Sequence, residues 1–310
     1  MFHVFQNTAE IRFVLRPDGP ILVRAQSVGI DPVGADMEFH RTRRGGESTV
    51  FLAGSGLKGV LRAHCERLLR SSGVFACDPT KVGNKACCAD PGHKMKAPTA
   101  ERPHAGVCPA CFTFGSLKMA GRFHVDDAFP LETESEDTNH TEVRAGVGID
   151  RKSHGASTGA LFDTEVVVSG GFEVRVRGEN FPLWQLGLLL AALDHLNAGL
   201  VRIGGNKARG MGRVRIEDRR VSLRFLDNQD GQLSGARKPA SAQFNYNLPE
   251  NEALPIPPGG TENRQGLFRA VTFEGAGVQT LTNELTGAQS PLTTYLAHRI
   301  ATMQSVQASA

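Results

Sequence analysis

Five of the six cysteines fall between residues 77 and 111: Cys77, Cys87, Cys88, Cys108 and Cys111. The two-residue spacing of Cys108-Pro-Ala-Cys111 lets both thiolates reach one tetrahedral zinc ion. Two further ligands must come from Cys77, Cys87, Cys88 and His93. Cys77 and Cys88 are favoured, because thiolates hold structural zinc well and adjacent Cys87 and Cys88 do not readily ligate together. The competing readings are free buried cysteines and a redox Cys-x-x-Cys pair, but a redox pair belongs on the strand-to-helix junction of a βαβ unit. Zinc would be structural here, ordering a segment too polar to fold by burial alone.

Basic side chains supply a second kind of chemistry. The segment 41–70 carries Arg41, Arg43, Arg44, Lys58, Arg62, Arg67 and Arg70 against two carboxylates, Glu47 and Glu66. The segment 201–224 carries eight basic and two acidic residues. Each lies beside a glycine-rich turn, Gly54 to Gly59 and Gly204 to Gly212, where exposed N–H groups and cations would meet the same polyanion. A nucleic-acid backbone fits. The plainer reading is a solvated face with scattered arginines. Gly204 to Gly212 lacks a Walker ending and follows a helix rather than a strand, so neither nucleotide fingerprint applies.

These groups must be carried by regular elements. Residues 11–15 and 21–25 read as an opening pair of strands around Pro17-Asp18-Gly19-Pro20, followed by a long loop over 27–52. Leu57 to Arg70 is an amphipathic helix with Leu57, Val60, Leu61, Leu68 and Leu69 on one face, and Ser55 is placed to cap it. Residues 71–112 form an insertion, Phe123 to Val125 a short strand, and 143–162 a projecting loop or hairpin. A hairpin is expected over 166–176 around Ser169-Gly170-Gly171, a helix over 184–200 and a strand over 214–216. Two halves, each of strands packed on one helix, make an α+β, ferredoxin-like (RRM-like) βαββαβ core. The chain turns Pro/Gly/Asn/Gln-rich from Asp227, which reads as an extended tail with a helix over 292–303.

Whole-chain numbers exclude other classes. The chain has 310 residues, 40% hydrophobic and 22% charged, with a net charge of +3. That excludes a polybasic, histone-like protein. No apolar run reaches the ~18–20 residues of a membrane span, and the first residues do not resemble a signal peptide, so a cytoplasmic protein is expected. Glycine is abundant at 35 residues, while Trp and Tyr number one and two.

Four ordered motifs then combine. Ala53-Gly-Ser-Gly-Leu-Lys-Gly-Val-Leu-Arg62 resembles the Pro-Gly-Ser-Ser-Leu-Lys-Gly-x-Leu-Arg segment of RAMP-superfamily proteins. Ile203-Gly-Gly-Asn-Lys-Ala-Arg-Gly-Met-Gly-Arg-Val214 resembles their late glycine-rich loop. Cys108-Pro-Ala-Cys-Phe-Thr-Phe-Gly115 and Gly148-Ile-Asp-Arg-Lys-Ser-His-Gly-Ala-Ser-Thr-Gly159 are similar to the zinc motif and the thumb of type III CRISPR backbone subunits. The resemblance implies a RAMP core over 1–226, with a zinc-binding insertion at 71–115 and a thumb at 143–165, and a tail at 227–310 contacting neighbouring subunits. It implies that copies or paralogues stack along a guide RNA paired to a complementary target RNA. Arg43, Arg44, Ser55, Lys58, Arg62, Gly204, Gly205, Lys207 and Arg209 would hold the guide, and Ile149, Arg151, Lys152 and His154 would belong to the thumb. In catalytic members an aspartate on the loop before the first helix cleaves target RNA with Mg²⁺ or another divalent cation. Asp36 matches that position best, with Asp31 the fallback. The rival readings are a non-catalytic RNA-binding scaffold and a metal-independent guide-processing endoribonuclease using a histidine such as His40.

Overall fold

A computed structural model describes residues 4–24, 35–78, 87–88, 107–116, 119–132, 141–227, 229–237 and 252–308. Asp31 and His93 lie outside the described residues. Strand β1 (Asn7–Pro17) alternates strictly: Asn7, Ala9, Ile11, Phe13 and Leu15 are buried, while Thr8, Glu10, Arg12 and Val14 face outward. It is flanked on both sides. A hairpin of β2 (Arg41–Arg44) and β3 (Glu47–Val50) follows, then helix α1 (Gly54–Ser71) and the short helix α2 (Pro109–Phe114). Four short strands come next: β4 (Gly115–Ser116), β5 (Met119–Ala120), β6 (Phe123–Val125) and β7 (Phe129–Pro130). A long hairpin of β8 (Thr141–Ile149) and β9 (Ala156–Val167) precedes β10 (Phe172–Glu179), helix α3 (Leu183–Asn197) and β11 (Val214–Phe225). The last segment supplies β12 (Gln232–Ser234), β13 (Ala253–Pro255), β14 (Gly260–Gln265), β15 (Phe268–Glu274), α4 (Ala276–Thr286) and α5 (Pro291–Ala308).

The main sheet runs β14-β15-β11-β1-β10-β6, antiparallel throughout, with β7 also on β10. Taking β1, β6, β10 and β11 as first to fourth strands, the order is four-one-three-two, with α1 and α3 as the crossovers. That is the ferredoxin-like βαββαβ core read from the sequence. The helices cover its apolar face. The outward positions of β1, β10 and β11 carry paired charges such as Arg177–Asp126 at 2.7 Å and Arg220–Glu274 at 3.0 Å, and no aromatic ring. The sheet therefore lacks the stacking platform that RRM-type RNA readers use.

Five expectations are corrected. Residues 21–24 are not a partner of β1, whose two edges are occupied by β10 and β11; Ile21 instead bridges Val167 and Arg24 bridges Phe39. The loop over 27–52 contains the β2–β3 hairpin, turning at Gly45 and Gly46, both at positive φ. Val167 leaves toward Ile21, so no hairpin forms with Phe172 across Gly170. Ser55 caps nothing: Ala53 is the N-cap, and the Gly54 N–H donates to Asp127 Oδ1 at 2.7 Å. The segment after Asp227 is not an extended tail. Its β15 pairs with β11 from Arg220↔Glu274 to Phe225↔Arg269, and α4 and α5 pack on α3. Apolar Val271, Phe273, Val278, Leu281 and Leu285 are fully buried, which offsets the polar composition around them.

Candidate metal centre and nucleic-acid interface

Cys77 follows the end of α1, Cys108 caps α2, and Cys111 lies one turn into it. The thiols of Cys77, Cys88, Cys108 and Cys111 are buried and lie within 4.8 Å of one another. Cys77 Sγ is 3.5 Å from Cys108 Sγ and 3.8 Å from Cys111 Sγ. A tetrahedral ion with a metal–sulfur bond of about 2.3 Å separates its thiolates by roughly 3.8 Å, so the set fits zinc. Backbone amides support the sulfurs: Cys88 N–H donates to Cys77 Sγ at 3.0 Å, Cys108 N–H to Cys88 Sγ at 3.2 Å and Cys111 N–H to Cys108 Sγ at 3.4 Å. Contact with the Cys111, Cys77 and Cys88 thiols holds Cys108 below the ordinary thiol range. Four buried cysteines are thus positioned to bind a metal ion. Cys87 stands just outside, 3.8 Å from Cys111 Sγ.

The glycine-rich loop runs from α3 into β11 through a single 3₁₀ turn, Lys207–Arg209. Its glycines answer to the chain itself. A Cβ at Gly204 (φ +70°) would stand 2.1 Å from Leu22 O, and one at Gly212 (φ +85°) 2.1 Å from Ile203 O. The Gly205 N–H already donates to Leu22 O at 2.8 Å, so that amide is not open to a phosphate. The cations of the loop are open. Lys207 and Arg209 are exposed at the surface, partial desolvation by neighbouring atoms and nearby Arg67 pull Lys207 below the usual lysine range, and Arg209 lies 5.6 Å over the Phe162 ring.

Phe162 and its neighbour Asp163 sit toward the base of the β8–β9 hairpin. The Asp163 N–H donates to Asp36 Oδ2 at 3.0 Å, so consecutive residues of β9 hold Arg209 and the exposed Asp36. The strip carrying Asp36 is fixed alongside β9 by Met37 N–H to Asp163 O at 3.0 Å and Glu165 N–H to Met37 O at 2.9 Å. Glu165 locks it further, accepting from Phe39 N–H at 2.9 Å and from Arg41 Nη1 at 2.6 Å. The Arg41 guanidinium holds the Glu165 carboxyl down at about 2. Beyond this base the hairpin projects. Ile149 is 59% exposed, and Arg151, Lys152 and His154 are exposed at its tip, where Asp150 Oδ1 accepts from the Lys152 and Ser153 amides.

The remaining residues separate into two groups. Ser55, Gly56, Gly59, Ala63 and Arg67 form an exposed stripe along α1, and nothing in the described chain comes within 4 Å of a Cβ built at Gly56 or Gly59. Lys58 is half-buried beside it and lowered by burial and by Arg62. Arg43 is exposed on β2, whereas Arg44 pairs with Glu132 at 2.8 Å and lies 4.8 Å over Phe129. Arg62 is engaged inward, with Glu66, Gly115 and Cys111. His40 is half-buried against Phe51, ring centres 4.4 Å apart. Sequence reasoning missed Asp127 as the α1 cap and Glu165 as the clamp. Each acts across 73 or more residues, and no local motif marks either.

A family model described as the RAMP superfamily matches residues 20–215, spanning the core helices, the hairpin and the glycine loop. The chain belongs to the RAMP superfamily. Membership points to a CRISPR-associated, RNA-binding protein, with RNA and CRISPR complex components as its partners. Comparison with curated proteins gives no match. Among the described residues of this RAMP protein, no helix is long and apolar enough to cross a membrane.

Proposed function

We propose that this RAMP protein is a backbone subunit of a type III CRISPR ribonucleoprotein, gripping the sugar-phosphate chain of a guide RNA along α1. The observation that carries this reading is the uncovered stripe of Ser55, Gly56 and Gly59 running to the cations Arg67 and Lys207. Glycine inside a helix costs about 1 kcal/mol relative to alanine. Two such glycines with no described residue packed on them fit a surface that another backbone approaches closely. Lys58, Lys207 and Arg209 supply phosphate charge there, Arg43 extends it from the β2–β3 hairpin, and Ile149, Arg151, Lys152 and His154 reach between guide and target. Zinc at Cys77, Cys88, Cys108 and Cys111 is structural.

The test pairs stability with binding. Gly59→Ala is expected to raise thermal stability by about 1 kcal/mol while weakening guide RNA at least tenfold. Lys58→Ala with Lys207→Ala should make the salt dependence shallower by roughly 0.7 per lost single-strand phosphate contact. Unchanged RNA affinity in both variants overturns the interface.

Target cleavage is a further part of the proposal. Among the described residues only Oδ2 of Asp36 is hydrogen-bonded, and Oδ1 would take a Mg²⁺ ion that stabilises charge on the scissile phosphate. Asp36→Ala in the assembled complex is expected to abolish cutting opposite this subunit and leave target binding intact. Retained cutting with Asp36→Ala removes Asp36 from the chemistry, and no cutting by the wild type in Mg²⁺ decides for the rival reading, a non-catalytic RNA-binding scaffold.

A further inference from the structure

Arg62 ends the helix motif and, read from sequence, belongs with the guide contacts. The fold turns it the other way. Its Nε donates to Glu66 Oε1 at 2.8 Å, Nη1 to Gly115 O at 2.7 Å and Nη2 to Cys111 Sγ at 3.3 Å. The Glu66 side chain is only 3% exposed. Four residues beyond Glu66, Arg70 Nη1 donates to Cys77 O at 2.9 Å. At four-residue spacing, α1 therefore reaches both chain segments that deliver cysteines: Cys111–Gly115 through Arg62, and Cys77 through Arg70.

Four thiolates around one divalent cation leave a net charge of −2 in a buried site. Such a centre needs donors on its sulfurs, and a guanidinium fork meets sulfur, carbonyl and carboxylate at once. Outer partners of this kind orient the ligands and typically account for 10–100-fold in metal affinity. We infer that Arg62 is a positioning residue of the metal centre: it is the counter-cation of the thiolate cluster, and through it a bound metal holds α1 and its RNA-facing stripe in place. This rests on the metal and RNA readings above. It adds that the two sites are coupled through one helix, with the motif arginine serving the metal rather than the phosphates.

The experiment uses the full chain loaded with zinc, as wild type, Arg62→Met and Arg62→Lys. Zinc affinity is read by competition with a chromophoric chelator, and single-stranded guide RNA binding is read as a function of salt. Arg62→Met is expected to lose tenfold or more in zinc affinity, with Arg62→Lys recovering part of it. RNA affinity should fall in parallel and return in excess zinc, with the salt slope unchanged. Unchanged zinc affinity in Arg62→Met, or a salt slope shallower by roughly 0.7, overturns the inference and returns Arg62 to the phosphates. If the wild type binds no guide RNA, the proposed function fails, while the zinc competition still decides the role of Arg62. Should Arg62→Met not fold, Arg62→Lys, which keeps the charge but loses the fork, is expected to weaken zinc in the same direction by less. No change there counts against the inference.

Discussion

At Glu165 a buried carboxylate has exchanged water for Arg41 and the Phe39 amide, and its pKa is held at about 2. A carboxyl depressed on folding adds stability that is complete above its ordinary value near 4.5 and is lost as pH falls through about 2. The difference corresponds to roughly 3 kcal/mol. Glu165→Gln is therefore expected to lower the melting temperature at pH 7 and to flatten the acid limb of stability between pH 5 and 2. Thermal scans across pH check this. The same substitution releases the strip that carries Asp36. Any cleavage that depends on Asp36 should then fall at pH 7 even though residue 165 is buried.

Helix α1 shows how an element divides its faces. One stripe is small and exposed, one flank clasps the cysteine cluster, and Leu57, Leu61 and Leu69 enter the core. Helix α2 is the metal site's other support. It is six residues long and buried throughout, and its Phe112 ring lies 6.1 Å from Trp184. Trp184 in turn stacks on Tyr295 of α5 at 3.8 Å with an interplanar angle of 2°. A helix this short does not hold its conformation without tertiary restraint. Chelating the metal is expected to free α2, shift the emission of Trp184, the chain's one tryptophan, to longer wavelength, and loosen α5. Fluorescence during chelator titration reads all of this from one probe. An unchanged spectrum after proven metal loss would show that α2 is held by packing alone.

For the whole molecule, the sheet continues past the ferredoxin-like core through β15 and β14. The segment after Leu226 also contributes α4 and α5 to the layer over α3. A chain ended at Leu226 would expose the β11 edge and the Trp184 face together. It is expected to be aggregated or to lack a cooperative thermal transition, in contrast to the full chain. A soluble, cooperatively folding 1–226 fragment would restore the reading of the last segment as a tail.

The alternation of β1, the amphipathic face of α1 and the two halves were legible locally, because a period of two or 3.6 is set by neighbours in sequence. The four cysteines were also within reach, since a metal's preference for thiolates is a property of side-chain type and spacing. The sequence also named Asp36, Lys207 and Arg209, but not what surrounds them. Only the tertiary structure decided that Arg62 turns to sulfur, that the Gly205 amide is spent on Leu22, and that β15 closes on β11. Each of these depends on which groups lie opposite across 44 or more residues. A buried hydrogen-bonding group must find its partner wherever the fold brings one. Spacing along the chain carries no information about that distance.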